Sequence, residues 1–391
     1  MENQIKVLVA PNSFKECADS AEISTLMKAS FNKYIPDTLK PVIEFVHQPI
    51  ADGGDGFLEV CKIAFGLETL HFEVGRCYDD EKILVPAGYD VMNKTLYVES
   101  ADILGIKVIP KEFRKPMKLS SKGLGELIMQ VLDGVETGFM QVEKVVIGIG
   151  GTGTNDLGMG MMEVFGLELF DKKDKQLEVI PENFSSVEKI AVPEGELPFE
   201  IEMIYDVENP LLGLKGASKV FARQKGATEE EIEELEKGFA NILKQMEIDE
   251  KTLSQLSGAG GGLAAALKLF FKATEKSATK FITDDLGIFN ESANYDAVIT
   301  GEGKYDFQSY LNKGAMIISS KFMDNEIPIF FVCGISEGDL PENDNLHVIE
   351  LSEYFDSIPE SIKNFDKGID IACKKISKKL IQLITKKETK N

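Results

Sequence analysis

Histidine is scarce in this sequence, and the cysteine pattern of a disulfide scaffold is missing. The 391 residues include three histidines, His47, His71 and His347. So few histidines disfavour a histidine-ligated metal centre or a Ser-His-Asp triad. The five cysteines are scattered and form no C-x-x-C pair. This spacing predicts reduced thiols in a cytosolic protein rather than a disulfide framework.

Long apolar runs and basic stripes are also missing. No apolar stretch approaches the roughly 20 residues that a membrane-spanning helix needs, so we expect no membrane partner. The net charge is −22, and we expect no nucleic-acid partner because such proteins cluster Lys and Arg. A predicted strand, Ile5–Ala10, begins close to the first residue of the sequence. We therefore expect no signal segment and a cytoplasmic location. The one basic run, Lys374–Lys390, has apolar residues at helical spacing and predicts an amphipathic helix.

The length predicts more than one domain, because single hydrophobic cores stop growing at roughly 250–300 residues. Apolar strands ending in polar loops and followed by helices occupy both ends of the chain, for example Ile5–Ala10, Val42–His47 and Ile327–Gly334. Short strands alternating with turns follow from about residue 72. We predict an α/β protein with a Rossmann-like doubly wound domain, residues 1–75 plus 290–391, into which a second α/β domain, residues 76–289, is inserted.

Polar loops follow strands or helices at five places in the sequence. Ligands of open α/β sheets bind beyond the carboxyl ends of the strands, so such loops are candidate site segments. These loops are Asn12–Lys15, Asp52–Gly56, Gly150–Asp156, Asp206–Asn209 and Gly301–Asp306.

The Gly150–Asp156 loop belongs to a partial dinucleotide fingerprint. Gly148, Gly150 and Gly153 match G-x-G-x-x-G after a predicted strand and before a predicted helix. Glycines at such a place let backbone N–H groups approach a phosphate, whether of NAD or of ATP. An NAD-linked oxidoreductase is therefore one hypothesis. The Asn155 and Asp156 side chains that end the loop suit a metal or a hydroxyl better than a dinucleotide.

The loops and their neighbours, taken together, resemble the motifs of the glycerate kinase family. A Walker P-loop and the protein-kinase motifs are absent, so the resemblance is to a separate kinase lineage. The matching segments, in chain order, are 10–16 (APNSFKE), 49–56 (PIADGGDG), 99–101 (ESA), 120–128 (SSKGLGELI), 150–156 (GGTGTND), 206–211 (DVENPL), 216–218 (GAS), 224–227 (QKGA), 258–263 (GAGGGL) and 299–303 (ITGEG).

The resemblance implies transfer of a phosphoryl group from ATP to glycerate with Mg²⁺, in a two-domain α/β fold whose active site lies in the inter-domain cleft. The sequence departs from the family pattern at several positions, among them 17–20, 304 and 312. Asn12 stands where the family has Asp, and Arg223 and Ala315 stand where it has Pro. These departures bear on the substrate more than on the reaction class. A non-catalytic paralogue that binds glycerate or nucleotide is therefore a third hypothesis.

Phosphoryl transfer needs positioning and neutralisation of charge, and the resemblance supplies residues for both. The expected roles overlap at Asp52, which is a candidate for two of them. The candidates are Asp156, Asp306 and Lys15 for catalysis, Gly150, Gly151, Thr152, Asn155, Lys225 and Lys304 for nucleotide or phosphate binding, Ser13, Asp52, Gly53 and Gly54 for substrate binding, and Asp52 and Glu302 for Mg²⁺. Asp156 has a rival role as a helix cap. The expected partners are glycerate and ATP, and a homodimer is one assembly that the sequence leaves open.

Overall fold

The protein is described by a computed structural model covering residues 4–14, 17–206, 209–289, 294–305, 314–323, 327–337 and 343–388. The strands, in chain order, are β1 (Ile5–Pro11), β2 (Ile43–His47), β3 (Glu68–Gly75), β4 (Lys82–Asp90), β5 (Thr95–Glu99), β6 (Lys144–Gly148), β7 (Glu168–Phe170), β8 (Gln176–Leu177), β9 (Lys189–Ala191), β10 (Glu200–Tyr205), β11 (Thr274–Ser277), β12 (Ala297–Tyr305), β13 (Ile329–Ser336) and β14 (Leu346–Glu350). The α-helices are α1 (Ser20–Tyr34), α2 (Phe57–Phe65), α3 (Ala101–Leu104), α4 (Lys122–Glu136), α5 (Met159–Glu163), α6 (Ala217–Phe221), α7 (Glu229–Gln245), α8 (Glu250–Leu253), α9 (Leu263–Phe271), α10 (Ala278–Lys280), α11 (Ala315–Phe322), α12 (Ile358–Lys363) and α13 (Phe365–Glu388).

The chain divides into two compact units. Unit 1 is Met1–Asp52 together with Ala278–Asn391, and unit 2 is Gly53–Ser277. Both chain ends therefore lie in one unit, but the divisions fall elsewhere than the predicted boundaries at 75/76 and 289/290. Residues 53–75 belong to unit 2 because β3 pairs antiparallel with β4 along its whole length.

Unit 1 contains a five-stranded parallel sheet in the order β14-β13-β12-β1-β2. Successive side chains of a strand point to opposite faces, and both faces of β13 are covered by helices. Phe330 and Val332 pack in a cluster with residues of α1 and α13. Phe331 and Cys333 pack with Ala315 and Met316 of α11. A parallel sheet with helices on both faces is the doubly wound arrangement that the sequence predicts.

Unit 2 contains a six-stranded mixed sheet in the order β11-β10-β6-β5-β4-β3. The strands β11, β10, β6 and β5 run parallel, whereas β4 and β3 are antiparallel additions at one edge. One large hydrophobic cluster includes apolar residues of the sheet together with those of α4, α7 and α9. The short strands β8, β7 and β9 form a separate three-stranded sheet.

Helix starts agree with the sequence, whereas one predicted loop is wrong. Reciprocal capping boxes join Asp19 to Glu22 and Thr228 to Glu231, as predicted. The predicted loop at 301–306 is instead strand through Tyr305, because β12 continues to pair with β13 as far as Tyr305 opposite Ser336. Gly301 fits there because a Cβ at this position would lie 1.9 Å from the carbonyl oxygen of Val332.

The predicted C-terminal amphipathic helix is confirmed through Glu388. It is α13, and its residues Ile376, Leu380 and Ile384 are buried. Within the described ranges, no helix is both long and apolar enough to span a bilayer.

Candidate functional site

Four segments of unit 2 meet at the carboxyl edge of its parallel strands through backbone hydrogen bonds. The N–H of Gly150 donates to the carbonyl of Gly53 over 2.8 Å, and the N–H of Ile149 donates to Ile204 at the end of β10 over 3.0 Å. On the other side of the loop, the N–H of Gly153 donates to Leu104 over 2.6 Å. The Gly150–Asp156 segment is therefore held in place by β10, by the turn before α2 and by the end of α3.

Two of the three glycines of the expected dinucleotide fingerprint are required by close packing. A Cβ at Gly148 would lie 2.7 Å from the carbonyl oxygen of Gly53, and a Cβ at Gly150 would lie 2.5 Å from the Cα of Gly54. A Cβ at Gly153 would lie 2.5 Å from Cδ1 of Ile109. Real Cβ atoms do not approach backbone atoms this closely, so backbone contacts inside the protein account for Gly148 and Gly150. At Gly153 the close atom is the end of a flexible side chain, which could move aside. The NAD hypothesis depended on this glycine pattern alone, so the pattern no longer supports it.

The same contacts revise the expected phosphate-binding role of Gly150, because its N–H is already bonded to Gly53. Gly53 and Gly54, predicted to bind substrate, are the packing partners of this loop. Gly151 has a positive φ of 74°, and its carbonyl accepts from the N–H of Ile106. Thr152 forms an isolated bridge with Gly105. Ligand binding by Gly151 and Thr152 stays a prediction.

Asp156 is fully buried and hydrogen-bonded within the chain. Its Oδ2 accepts from the N–H and the hydroxyl of Ser121, at 2.6 and 2.7 Å, and from the N–H of Gly160 at 3.2 Å. Its Oδ1 accepts from the N–H of Gly158 at 3.2 Å. Burial raises the pKa of the Asp156 carboxyl, while these hydrogen bonds act in the opposite direction. The arrangement joins the starts of α4 and α5, which favours the capping role over catalysis.

Lys225 is buried and also faces inward. Its Nζ donates to the carbonyl of Thr154 over 2.7 Å and to Oδ1 of Asn155 over 3.0 Å. Burial lowers the pKa of Lys225 to about 7, and the nearby Asp156 acts against this shift. In this structure Lys225 therefore stabilises the loop through hydrogen bonds inside the protein. It is not an exposed cation available to phosphate.

Three charged residues that the sequence analysis did not select lie at the same edge. Glu99 accepts from the N–H groups of Gly56 and Leu58, both over 3.0 Å, at the start of α2. Burial raises the pKa of Glu99 to about 8, and the neighbouring Asp102 carboxylate adds to the shift. Asp55 forms an ion pair with Lys107 at 2.6 Å. The ESA and DGGDG motifs contain Glu99 and Asp55 and could have marked them, whereas no motif marks Lys107.

In unit 1, the carboxyl edge of the sheet gathers a second set of predicted residues. Asn12 and Ser13 follow β1, Asp52 follows β2, and Glu302 lies in β12, and these three strands are neighbours. The N–H of Asn12 donates to Gly301 over 2.9 Å, and its Oδ1 accepts from the N–H of Ser13. The sheet thus brings Ser13, Asp52 and Glu302 to one edge, and their roles in binding stay a prediction.

Gly314, which precedes α11, borders two of these side chains. A Cβ at Gly314 would lie 2.5 Å from Nδ2 of Asn12 and 2.9 Å from Oε2 of Glu302. Lys304 lies farther along β12 and pairs with Glu337 at 2.8 Å on the surface. Lys15 and Asp306, both expected to be catalytic, lie outside the described residues.

Comparisons with known proteins agree with the motif pattern. The profile of the glycerate kinase family matches residues 7–382. Glycerate kinase of Haemophilus influenzae is 32% identical over 336 residues, covering 84% of this chain and 86% of that protein. Glycerate 2-kinase of Escherichia coli is 31% identical over 338 residues, covering 84% and 85%. A crystal structure assigned as glycerate kinase 2 of Salmonella typhimurium LT2 matches with a TM-score of 0.72 at 28% identity, covering 97% of this chain and 99% of that one.

The fold and its two loop-bearing edges are those of an α/β ligand-binding enzyme. The chain belongs to the glycerate kinase family.

Proposed function

We propose that this protein is an ATP-dependent kinase that phosphorylates a hydroxyl group of glycerate. The observation that carries the proposal is the family match over residues 7–382, which includes both loop-bearing edges. Glycerate kinase and glycerate 2-kinase are the names of relatives that are 32% and 31% identical. Neither the NAD-linked oxidoreductase nor the non-catalytic paralogue has comparable support.

We propose that Mg²⁺ binds to carboxylate oxygens of unit 1. Mg²⁺ is commonly bound through one or two protein carboxylates together with substrate phosphates and water. Among the residues that the structure describes, no cluster of three His, Cys, Asp or Glu side chains could hold a metal by itself. Asp52 and Glu302 fit the sparser arrangement: Asp52 follows β2, Glu302 lies in β12, and β1 runs between these two strands. When bound, Mg²⁺ would neutralise phosphate charge, and these two residues would hold it.

We propose the remaining roles for residues of unit 1. We propose that Ser13 and Asp52 bind the hydroxy acid, since a hydroxyl and a carboxylate both bond to alcohol groups. Asp156 has all its described hydrogen bonds inside the protein, so we assign the base to Asp306 or Asp52. Lys15 and Lys304 are the proposed cations that meet phosphate or the glycerate carboxylate, since phosphoryl transfer relies on such charges.

We further propose that the protein works in a reducing compartment, which agrees with the predicted cytoplasmic location. All five cysteines are free, and four of them are buried. Free thiols persist where glutathione and thioredoxin keep them reduced.

The test is a coupled ADP-release assay on the purified protein with ATP and Mg²⁺, with and without D-glycerate. We expect glycerate-dependent ADP release that EDTA abolishes. ADP release with a different hydroxy acid alone would overturn the substrate but keep the reaction class. No turnover, combined with binding of ATP or glycerate, would favour the non-catalytic paralogue. Identifying the product as 2- or 3-phosphoglycerate by NMR assigns the hydroxyl.

A further inference from the structure

Two buried polar groups in the Gly150–Asp156 loop have no partner within the part of the chain that the structure describes. They are the hydroxyl of Thr154 and the Nδ2 amide group of Asn155. Both residues have 0% of their surface exposed. A buried donor without an acceptor costs roughly 1–3 kcal/mol. Such groups in a native protein need an explanation, and an acceptor from outside the chain is one.

Lys225 fixes which way the Asn155 amide points. Its Nζ donates to Oδ1 of Asn155, and the same Nζ donates to the carbonyl of Thr154. In its protonated form, the Lys225 side chain offers hydrogens and no lone pair. The opposite orientation would set the NH2 group of Asn155 against the ammonium, donor to donor. The amide therefore directs its two N–H bonds away from Lys225.

We propose that Nδ2 of Asn155 and the hydroxyl of Thr154 bind an oxyanion of a substrate, and that Lys225 is the positioning residue that orients the Asn155 amide for this contact. The loop lies at the carboxyl end of β6, where parallel α/β sheets bind ligands. The proposal rests on the proposed kinase function, whose two substrates supply such oxygens as the carboxylate of glycerate and the phosphates of ATP.

Access requires a local movement, since neither side chain is exposed. We assign this movement to the neighbouring segment Ala259–Gly262, which packs against both residues. A Cβ at Gly261 would lie 2.2 Å from the carbonyl oxygen of Thr154 and 2.6 Å from Oδ1 of Asn155. Gly260, Gly261 and Gly262 follow one another with φ values of 65°, 69° and 91°. Successive glycines change conformation at low steric cost.

Thr154→Val, which replaces the hydroxyl with a methyl group of similar size, tests the first contact. We expect it to raise KM for one substrate by about tenfold, the size of one hydrogen bond to a charged group, without lowering the unfolding midpoint. Ser377→Ala is the matched control, because the Ser377 hydroxyl in α13 is also buried without a described partner. The control should keep the wild-type KM values. Separate KM values for ATP and D-glycerate identify which substrate supplies the oxyanion.

Asn155→Asp tests the second contact, because it keeps an acceptor for Lys225 and replaces the NH2 group with an oxygen. We expect a loss of about tenfold or more in kcat/KM, since the new carboxylate repels an anion.

Lys225→Met tests the positioning role of Lys225. The double variant combines Asn155→Asp with Lys225→Met. If Lys225 acts through Asn155, the double variant will lose no more kcat/KM than Asn155→Asp alone.

Two outcomes are decisive once wild-type turnover is established. Unchanged KM and kcat in Thr154→Val and Asn155→Asp would overturn the inference, and a bound water would then account for the buried donors. Additive losses in the double variant would overturn the positioning role of Lys225. An inactive wild-type protein would instead overturn the proposed function. Thermal shifts with ATP or with D-glycerate would then test the oxyanion contact, and equal shifts for wild type and Thr154→Val would count against it.

Discussion

The N–H of Gly150 donates to the carbonyl of Gly53 over 2.8 Å, which joins two glycine-rich motifs that lie far apart in the sequence. Two loops that approach backbone to backbone leave no room for side chains. The glycines of both motifs are therefore needed to build the edge of unit 2, before any ligand is considered.

Gly53→Ala is expected to damage this edge. Gly53 has a φ of 85°, and a Cβ there would lie 2.2 Å from the carbonyl oxygen of Ile204. Gly66 is the matched control, since its φ is 66° and nothing lies within 4 Å of a Cβ. Gly66→Ala should cost about 1 kcal/mol of unfolding free energy, the cost of the left-handed backbone alone. Gly53→Ala should cost more and also lower turnover, as measured by urea unfolding and the coupled assay. Equal stability of the two variants would contradict the close approach.

Asp156→Asn is expected to act mainly on stability. The carboxylate accepts four hydrogen bonds from Ser121, Gly158 and Gly160, and an amide supplies only one oxygen for them. Leaving buried donors without an acceptor should lower the unfolding free energy by about 1–3 kcal/mol. The measurement is chemical unfolding together with turnover at a temperature where the variant is folded. Full stability combined with a loss of turnover of about 10²-fold or more would restore Asp156 as the base.

Glu99 is expected to make stability depend on pH. Burial raises its pKa to about 8 in the folded protein, so between about pH 4.5 and 8 the folded state binds a proton that the unfolded state has released. The contribution of Glu99 to the free energy of unfolding is fully present below that window. Within the window it falls as pH rises, by at most about 1.4 kcal/mol per pH unit. Urea unfolding at pH 5, 6.5 and 8 should show this decline in wild type and a smaller one in Glu99→Gln. Parallel pH curves would refute the raised pKa.

The Asp55–Lys107 pair is expected to serve activity more than stability. Its side chains are 31% and 58% exposed, and such pairs contribute at most about 1 kcal/mol. Lys107→Met should lower kcat/KM about tenfold, because the loss removes a cation from the ligand edge of unit 2. Lys94→Met is the control: Lys94 pairs with Glu143, also at 2.6 Å, where β5 and β6 begin. The prediction is wrong if both variants keep wild-type kcat/KM.

Features set by short segments could be predicted from the sequence. The capping boxes at Asp19 and Thr228 depend on residues three apart, and each helix begins where that spacing predicts. The parallel sheet of unit 1 follows from short apolar strands that end in polar loops, and Ser13, Asp52 and Glu302 lie at its carboxyl edge.

Features set by distant contacts could not be predicted in this way. Lys225 hydrogen-bonds to the loop only because the fold brings it to Asn155, which lies 70 residues earlier in the sequence. Asp156 is enclosed because Ser121, 35 residues earlier, reaches it. The segment Gly301–Tyr305 has the composition of a turn, yet β13 pairs with it as a strand. The placement of the active site in a cleft between the two domains stays a prediction.

The division of unit 1 into two chain segments has a consequence for synthesis on the ribosome. The strand β1 is made first, but its neighbour β12 is made much later: Ala10 and Thr300, joined by a hydrogen bond, are 290 residues apart. Unit 2 is one continuous segment, so it can finish folding before β12, the partner strand of β1, has been made. Until β12 emerges, one edge of β1 has open N–H and C=O groups, and such edges pair readily with other chains. Nascent chains stalled before residue 297 therefore keep this edge of β1 open to pairing with other chains.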